Sequence, residues 1–148
     1  MWRHRLRRMY VRGSLVNVDF NGDGKPDGFQ FQFIAPGIIS LYEIYDLNLS
    51  VDGEKINSSN ILIHLNGKTY SVGDLVKSQD YCLLGDEVTI IVKKKGLTSD
   101  KEHFIKLSAI GSFVNRKDSE LPLVLASDFL KNQILDLSRS KKIAWWLG

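Results

Sequence analysis

The chain has 148 residues, of which 43% are hydrophobic, and a formal net charge of +3. This length and composition suffice for one domain with its own hydrophobic core, so folding requires neither disulfides nor a metal. The single cysteine, Cys82, excludes an internal disulfide, and its apolar neighbours predict a small buried side chain. No stretch is long and apolar enough for a transmembrane helix, and we expect a soluble, cytoplasmic protein that does not engage a membrane.

Arginine is concentrated at the start of the chain. The first twelve residues contain five arginines and no acidic residue, which leaves residues 13–148 with a formal charge of −2. The five are Arg3, Arg5, Arg7, Arg8 and Arg12. A basic arm can bind nucleic acid, but the rest of the sequence offers no basic stripe that would extend such a contact. We therefore interpret residues 1–13 as a solvated arm, without a nucleic-acid partner and without the apolar stretch of a signal peptide.

An acidic, glycine-rich loop follows at residues 19–27. Its oxygen-bearing side chains fall on alternate positions, the rhythm by which calcium-binding loops direct successive ligands at one cation. They are Asp19, Asn21, Asp23 and Asp27. The loop resembles those of calcium-binding propeller repeats and dockerins, although it occurs once here and position 30 is Gln, not the bidentate Glu of an EF-hand. The alternative is a plain strand connection, because Asn-Gly and Asp-Gly supply the positive φ angles of turns. We favour the turn and keep a structural calcium site at these four residues as a second hypothesis.

Nine runs of alternating or β-favouring residues, separated by turn residues, predict an antiparallel β-sandwich of about eight or nine strands. They are Leu15–Phe20, Gly28–Ile34, Ile38–Tyr42, Asp46–Val51, Ile61–Leu65, Lys68–Val72, Glu87–Lys93, His103–Asn115 and Leu121–Ala126. Helical patterns between the strands, which a parallel α/β sheet would require, are missing. We therefore expect an all-β domain over residues 14–137.

Two dipeptides predict hairpin turns within this pattern. Asn66-Gly67 lies between two strand runs and indicates a tight hairpin with a primed turn, and Asp52-Gly53 precedes the short run Glu54–Ile56. His64 lies inside an apolar run and is interpreted as a half-buried strand residue. It is far from His4 and His103 in sequence, and their spacing does not support a zinc site.

The stretch from Ser127 to Leu137 fits two structures. Leu130, Ile134 and Leu137 lie at i, i+4 and i+7, which would give a short C-terminal helix one apolar face, but the same residues could continue the last strand. Residues 138–148 form a basic and aromatic tail. We expect its Trp145 and Trp146 to pack on the domain or on a partner, because two exposed tryptophans are unfavourable in water.

The sequence contains no recognisable catalytic signature. No Gly-x-Ser-x-Gly motif surrounds a serine, Cys82 has no identifiable partner histidine, and no glycine loop introduces a helix for phosphate binding. We therefore expect no catalytic residue and no bound organic cofactor, and interpret the chain as a binding or subunit domain.

Several segments, in their order and spacing, resemble the small (beta) subunit of C-glycoside deglycosidases across residues 15–115. They are Gly28–Phe33, Pro36, Leu47–Ile56, Gly67–Tyr70, Asp74-Leu75 and Val88–Leu97. One departure concerns the loop after Pro36. The resemblance leads us to expect an aromatic residue and an Arg-Gly pair there, whereas Gly37, Ile38, Ile39 and Ser40 follow.

The resemblance implies a β-sandwich subunit that works with a larger alpha subunit of the TIM-barrel type in a hetero-oligomer. That partner would hold Mn²⁺ or a similar divalent metal together with the catalytic base, and would cleave the carbon–carbon bond of 3-oxo-C-glycosides as a lyase. No residue of this chain inherits a catalytic role from it. The alternative function is a calcium-stabilised, carbohydrate-binding β-sandwich that acts alone.

Overall fold

A computed structural model describes residues 9–113 and 116–138 and places twelve β-strands within them. They are β1 (Val16–Asp19), β2 (Gly28–Ile34), β3 (Ile39–Ser40), β4 (Ile44–Val51), β5 (Glu54–Ile56), β6 (Ile61–Leu65), β7 (Lys68–Ser71), β8 (Tyr81–Cys82), β9 (Glu87–Val92), β10 (Lys101–Phe113), β11 (Arg116–Leu130) and β12 (Ile134–Asp136). Short 3₁₀ helices at Leu41–Glu43, Ser58–Asn60 and Val72–Lys77 lie in the connections. The helices in these residues are too short to cross a membrane.

The strands form a sandwich of two main sheets, which confirms the predicted all-β class. The larger sheet has the order β12-β1-β2-β9-β6-β7 and is antiparallel except where β12 runs parallel to β1. The smaller sheet has the order β11-β10-β4-β5 and is antiparallel throughout. β3 and β8 form a separate two-stranded ribbon.

Alternation along the strands builds one core between the sheets. Phe29, Phe31 and Phe33 of β2 are at most 4% exposed, whereas the glutamines between them are half-buried. They belong to the same buried cluster as Ile105 and Leu107 of the opposing sheet, both fully buried. Side chains one residue apart on a strand point to opposite faces, so the period of two in the sequence determines which face each residue occupies.

Both predicted hairpin turns are confirmed. Asp52 and Gly53 have φ angles of 53° and 81° between β4 and β5, and Asn66 and Gly67 have φ angles of 52° and 79° between β6 and β7. Positive φ at both central positions is the requirement of a primed turn, which matches the twist of the strands that it joins.

The predicted short helix within Ser127–Leu137 is wrong. β11 continues to Leu130, which is fully buried and pairs with Lys101 of β10, and Ile134–Asp136 then pairs with β1. The helical spacing of the apolar residues was coincidental, because free backbone donors and acceptors on β10 and β1 are available to extend the sheets. The alternative, a continued strand, is the one the chain adopts.

The N-terminal segment packs on the domain from its first described residues. Tyr10 is 7% exposed and forms an isolated antiparallel β-bridge with Phe33. Its ring is tilted by 35° relative to that of Phe31, with 6.2 Å between the ring centroids. Arg12 is exposed. The other four arginines of the predicted arm, and Trp145 and Trp146 of the predicted tail, lie outside the described residues.

Candidate functional site

The loop of residues 19–27 connects β1 and β2, as the turn interpretation predicted. Asp19 is 2% exposed and organises the loop from within: its Oδ1 accepts the N–H groups of Asn21 (3.2 Å) and Gly22 (2.9 Å), and its Oδ2 accepts that of Gly24 (2.7 Å). Asp27 Oδ1 accepts the N–H of Phe20 at 2.9 Å. The two carboxylates at the base of the loop, Asp19 and Asp27, therefore accept hydrogen bonds from the loop's own backbone.

The other two candidate calcium ligands lie at the exposed tip of the loop. Asn21 Oδ1 accepts the N–H of Asp23 at 3.2 Å, and Asp23 Oδ1 accepts that of Lys25 at 2.9 Å. Over residues 9–113 and 116–138, no three His, Cys, Asp or Glu side chains converge in the manner of a metal site. An ionised carboxylate has about four acceptor sites, so these hydrogen bonds leave capacity for a cation, and the calcium site stays a prediction.

A buried histidine lies at the end of the sandwich where β4 turns into β5. His103 is 3% exposed. Its Nε2 lies 2.7 Å from the carbonyl oxygen of Thr98, and its Nδ1 lies 2.6 Å from Asp52 Oδ2. Both ring nitrogens thus have an oxygen partner, and the contact with Asp52 is an ion pair whenever the imidazole is protonated.

The backbone of β10 keeps Asp52 ionised. Asp52 Oδ1 accepts the N–H of Phe104 at 2.8 Å, and the N–H of Asp52 donates to the Phe104 carbonyl at 2.8 Å. Desolvation raises the pKa of Asp52, but the hydrogen bonds from Phe104 and His103, together with the charges of His103 and Lys101, outweigh it and hold the pKa below its ordinary value. The turn residue Asp52 thus fastens the β4–β5 hairpin to the neighbouring strand.

The connection between β9 and β10 is fixed on its other side by a buried asparagine. Asn17 of β1 is fully buried, its Oδ1 accepts the N–H of Leu97 and its Nδ2 donates to the Leu97 carbonyl, both at 2.8 Å. A side chain at Gly96 would lie 2.6 Å from Pro26, so glycine permits this close approach. Asn17 and His103 thus hold Leu97 and Thr98 from two different strands.

These contacts enclose a cleft of about 250 Å³. Buried side chains from both sheets, Phe29, Val92, Val51 and Ile56, form its floor, and Leu97 and Thr98 lie in its wall. Its charged lining consists of Lys94, Lys95, Lys101, Asp52, Glu54 and His103. Three lysines and two carboxylates line the cleft, so it has a formal excess of one positive charge when His103 is counted as neutral.

The opposite end of the sandwich exposes apolar side chains. The ribbon pairs Ile39 with Cys82 and Ser40 with Tyr81. Two backbone hydrogen bonds flank these pairs, from Leu41 N–H to the Asp80 carbonyl (3.0 Å) and from Ala35 N–H to the Asp86 carbonyl (2.8 Å). Ile39 and Cys82 are buried, whereas large apolar side chains on and beside the ribbon are exposed. We call these five residues the ribbon patch: Ile38 (75% exposed), Leu84 (72%), Tyr42 (57%), Tyr81 (51%) and Leu83 (48%).

Two further residues have the environment that the sequence predicted. Cys82 is a free, buried thiol, and burial, with a smaller contribution from the charge of Asp86, raises its pKa to about 11. Such a thiol is unsuited to nucleophilic chemistry, because the thiolate is the reactive form. His64 is half-buried on β6, with its Nδ1 2.8 Å from Thr69 Oγ1.

Sequence reasoning missed the cleft. Asp52 was interpreted only as a turn residue, and its partner His103 lies 51 positions away. One signal was available: the run Lys93-Lys94-Lys95 concentrates charge inside a body whose formal net charge is negative. The Nζ atom of Lys93 lies over the ring of Phe20, 5.9 Å from its centroid, whereas Lys94 and Lys95 line the cleft.

Comparison with known proteins identifies the family of the chain. No curated protein matches it significantly. The sequence model of the C-glycoside deglycosidase beta subunit matches residues 6–112, a segment that contains both the ribbon patch and the whole cleft lining. The match covers well over half of the 148 residues. The chain therefore belongs to the C-glycoside deglycosidase beta subunit family.

Proposed function

We propose that the chain is the non-catalytic small subunit of a hetero-oligomeric, C-glycoside deglycosidase-like lyase. Its partner is a larger TIM-barrel subunit that holds Mn²⁺ or a similar divalent metal and cleaves 3-oxo-C-glycosides. The observation that carries the proposal is membership of a beta subunit family, because a beta subunit implies a second, different subunit.

The ribbon patch is the surface that we assign to this partner. Its five side chains are large, about half or more exposed, and include two tyrosines. Aromatic and aliphatic side chains of this kind are enriched at the centres of protein interfaces, whereas isolated monomers rarely expose contiguous apolar surface. All five residues fall within the segment that matches the family. The buried side of the ribbon, with Ile39 and Cys82 in the core, gives the patch a rigid base.

Charge supports the same assignment. The patch residues Ile38, Tyr42, Tyr81, Leu83 and Leu84 carry no formal charge, and depletion of charge is typical of the buried core of an interface. The loop after Pro36, where the sequence departs from the expected aromatic and Arg-Gly pair, contributes Ile38. We infer that this departure adapts the chain to its own partner.

Co-expression with a TIM-barrel alpha subunit of the C-glycoside deglycosidase type tests the proposal. We expect the two proteins to co-purify and the complex, but neither protein alone, to release the aglycone from a 3-oxo-C-glycoside. Ile38→Asp combined with Leu84→Asp should abolish co-purification, because two charges would be desolvated in the interface.

The matched control places the same charges on another exposed apolar pair. Phe104 and Phe129 lie on the outer face of the smaller sheet, 46% and 51% exposed, and Phe104→Asp with Phe129→Asp should leave the complex intact. A chain that stays monomeric beside the barrel protein would refute the subunit role. Equal loss of binding in both double variants would refute the assignment of the interface to the ribbon patch.

A further inference from the structure

We propose that the cleft between β5 and the β9–β10 connection binds a small organic anion, with a carboxylate or phosphate head on an apolar body of about one ring. The inference is independent of the subunit role, because this chain alone forms the cleft.

The positive charge of the cleft is local. Residues 13–148 carry a formal charge of −2, yet the cleft, with three lysines and two carboxylates, has an excess of one positive charge on the same count. None of Lys94, Lys95 and Lys101 forms an ion pair within 4 Å with a carboxylate in the described part of the chain, whereas Lys68 pairs with Asp80 at 3.3 Å. Clustered cations outside such ion pairs attract and hold an anionic ligand, and phosphate and carboxylate groups are the usual ligands of lysine.

The wall that presents two of these lysines is fixed before any ligand arrives. Lys94 and Lys95 directly precede Gly96, which packs on Pro26, and Leu97, which Asn17 holds by two hydrogen bonds. Thr98 is held by His103. Burying Asn17 and His103 in an apolar sandwich is unfavourable unless their polar groups form hydrogen bonds. Here they form them with Leu97 and Thr98, two residues of the cleft wall. A wall ordered in advance reduces the entropy lost on binding.

The size and floor of the cleft define the body of the ligand. Its volume of about 250 Å³ lies just below the ~300–1,000 Å³ range of sites for drug-sized molecules, so it fits a fragment with a single ring. Ile56 and the partly exposed Leu97 offer apolar contact beside the lysines. Thr98 and Glu54 supply polar groups at the rim.

Benzoate and phenyl phosphate are the probes, titrated into the full 148-residue chain labelled with ¹⁵N, with acetate and benzyl alcohol as partial analogues. We expect saturable shifts of the backbone amides of residues 94–98 with both ring anions, weaker binding of acetate and no binding of neutral benzyl alcohol. Lys94→Glu with Lys95→Glu, or Lys101→Glu alone, should weaken binding at least ten-fold.

Lys106→Glu is the matched control, because Lys106 lies exposed on the same strand as Lys101 but outside the cleft. It should leave the dissociation constant unchanged. Equal weakening by Lys106→Glu, shifts confined to the arginine-rich residues 3–12, or no saturation by either ring anion would overturn the proposal. Benzyl alcohol that binds as tightly as benzoate would also overturn it, since the cleft would then recognise a ring and not an anion.

Discussion

At the scale of single residues, the contact between His103 and Asp52 is the clearest case of a polar pair with a structural task. The two ring nitrogens of this buried imidazole have oxygen partners in Thr98 and Asp52. Asp52 also accepts from the N–H of Phe104, so one carboxylate contacts two residues of β10. Removing that carboxylate leaves one ring nitrogen of the buried histidine without its partner.

The variant Asp52→Asn tests this arrangement through its pH dependence. The amide oxygen of the substituted side chain can still accept from Phe104, but the pair with His103 loses its charge. We expect a loss of about 1 kcal/mol at pH 7 after discounting for the partial exposure of Asp52. The depressed pKa of Asp52 means that its contribution is fully present above its unfolded pKa of about 3.9 and is lost as the pH falls through the lower folded value.

Urea unfolding at several pH values measures the difference. The stability of the wild type relative to Asp52→Asn should be smaller below about pH 4 than at about pH 5. A stability difference that does not change between pH 7 and pH 3 would show that the charge of Asp52 is not what holds the pair.

At the scale of elements, a clear period of two allowed some strands to be predicted with their observed bounds. The runs Gly28–Ile34 and Ile61–Leu65 show their period of two over five or more residues, and the observed strands have the same bounds. β8 and β12 have only two and three residues, too few to display a period, and they pair because neighbouring strands offer free backbone groups.

Sequence patterns of a few residues also could not predict the cleft, because the contacts that form it join residues far apart in the chain. Asn17 meets Leu97 across 80 positions, and this contact depends on β1 and β9 both pairing with β2, an order that alternation does not specify. The acidic loop was predictable because its contacts are local: its carboxylates bond N–H groups within seven residues. Local chemistry can be read from a sequence, whereas the meeting of distant polar residues requires the topology.

A single buried carboxylate, that of Asp19, supports the backbone of the loop of residues 19–27. Asp19→Ala deprives three backbone N–H groups of their acceptor, and we expect it to destabilise the domain by about 1–3 kcal/mol in the presence of EDTA, since these hydrogen bonds do not require a metal. Asp23→Ala removes one exposed hydrogen bond and should cost less than about 0.5 kcal/mol. Thermal unfolding with EDTA measures both.

Calcium added to the same samples tests the second hypothesis for the loop. A ligand that binds only the folded chain raises its melting temperature with concentration. If the four oxygen-bearing residues bind calcium, millimolar calcium stabilises the wild type but not Asp23→Ala. An unchanged melting temperature of the wild type would restrict the loop to its role as a turn.

At the scale of the whole molecule, the two surfaces assigned to ligands lie at opposite ends of the sandwich. In the larger sheet, β2 and β9 pair Phe29 with Val92 at the cleft end and Ile34 with Glu87 at the ribbon end. In the smaller sheet, the pairing of β4 with β10 likewise extends from the cleft end to the ribbon end. The core lies between the two surfaces, so a substitution in one leaves the side chains of the other unchanged.

The segment before β1 is fastened to the last long strand across the molecule. Asp128 of β11 is 8% exposed and accepts three hydrogen bonds, from Tyr10 Oη (2.6 Å), Gly13 N (2.9 Å) and Leu15 N (3.4 Å). Burial, followed by the hydrogen bond and charge of Asp128, raises the pKa of Tyr10. The carboxylate thus holds residues 10–15 against a strand more than 110 positions later in the chain.

This long-range contact predicts a large effect from one small change. Asp128→Ala removes the acceptor of the buried Tyr10 hydroxyl and of the Gly13 N–H. We expect it to destabilise the domain by about 2–4 kcal/mol, whereas Tyr10→Phe removes one donor and should cost only about 1 kcal/mol. Ser127→Ala, at an exposed position on the same strand, should change stability by less than about 0.5 kcal/mol.

The raised pKa of Tyr10 makes its contribution to the free energy of unfolding depend on pH. This contribution is complete below about pH 10 and declines above it, so the stability difference between the wild type and Tyr10→Phe should shrink in alkali. Urea unfolding of the three variants at pH 7 and pH 11 measures these differences. An Asp128→Ala variant as stable as Ser127→Ala would mean that residues 10–15 are held by apolar packing alone.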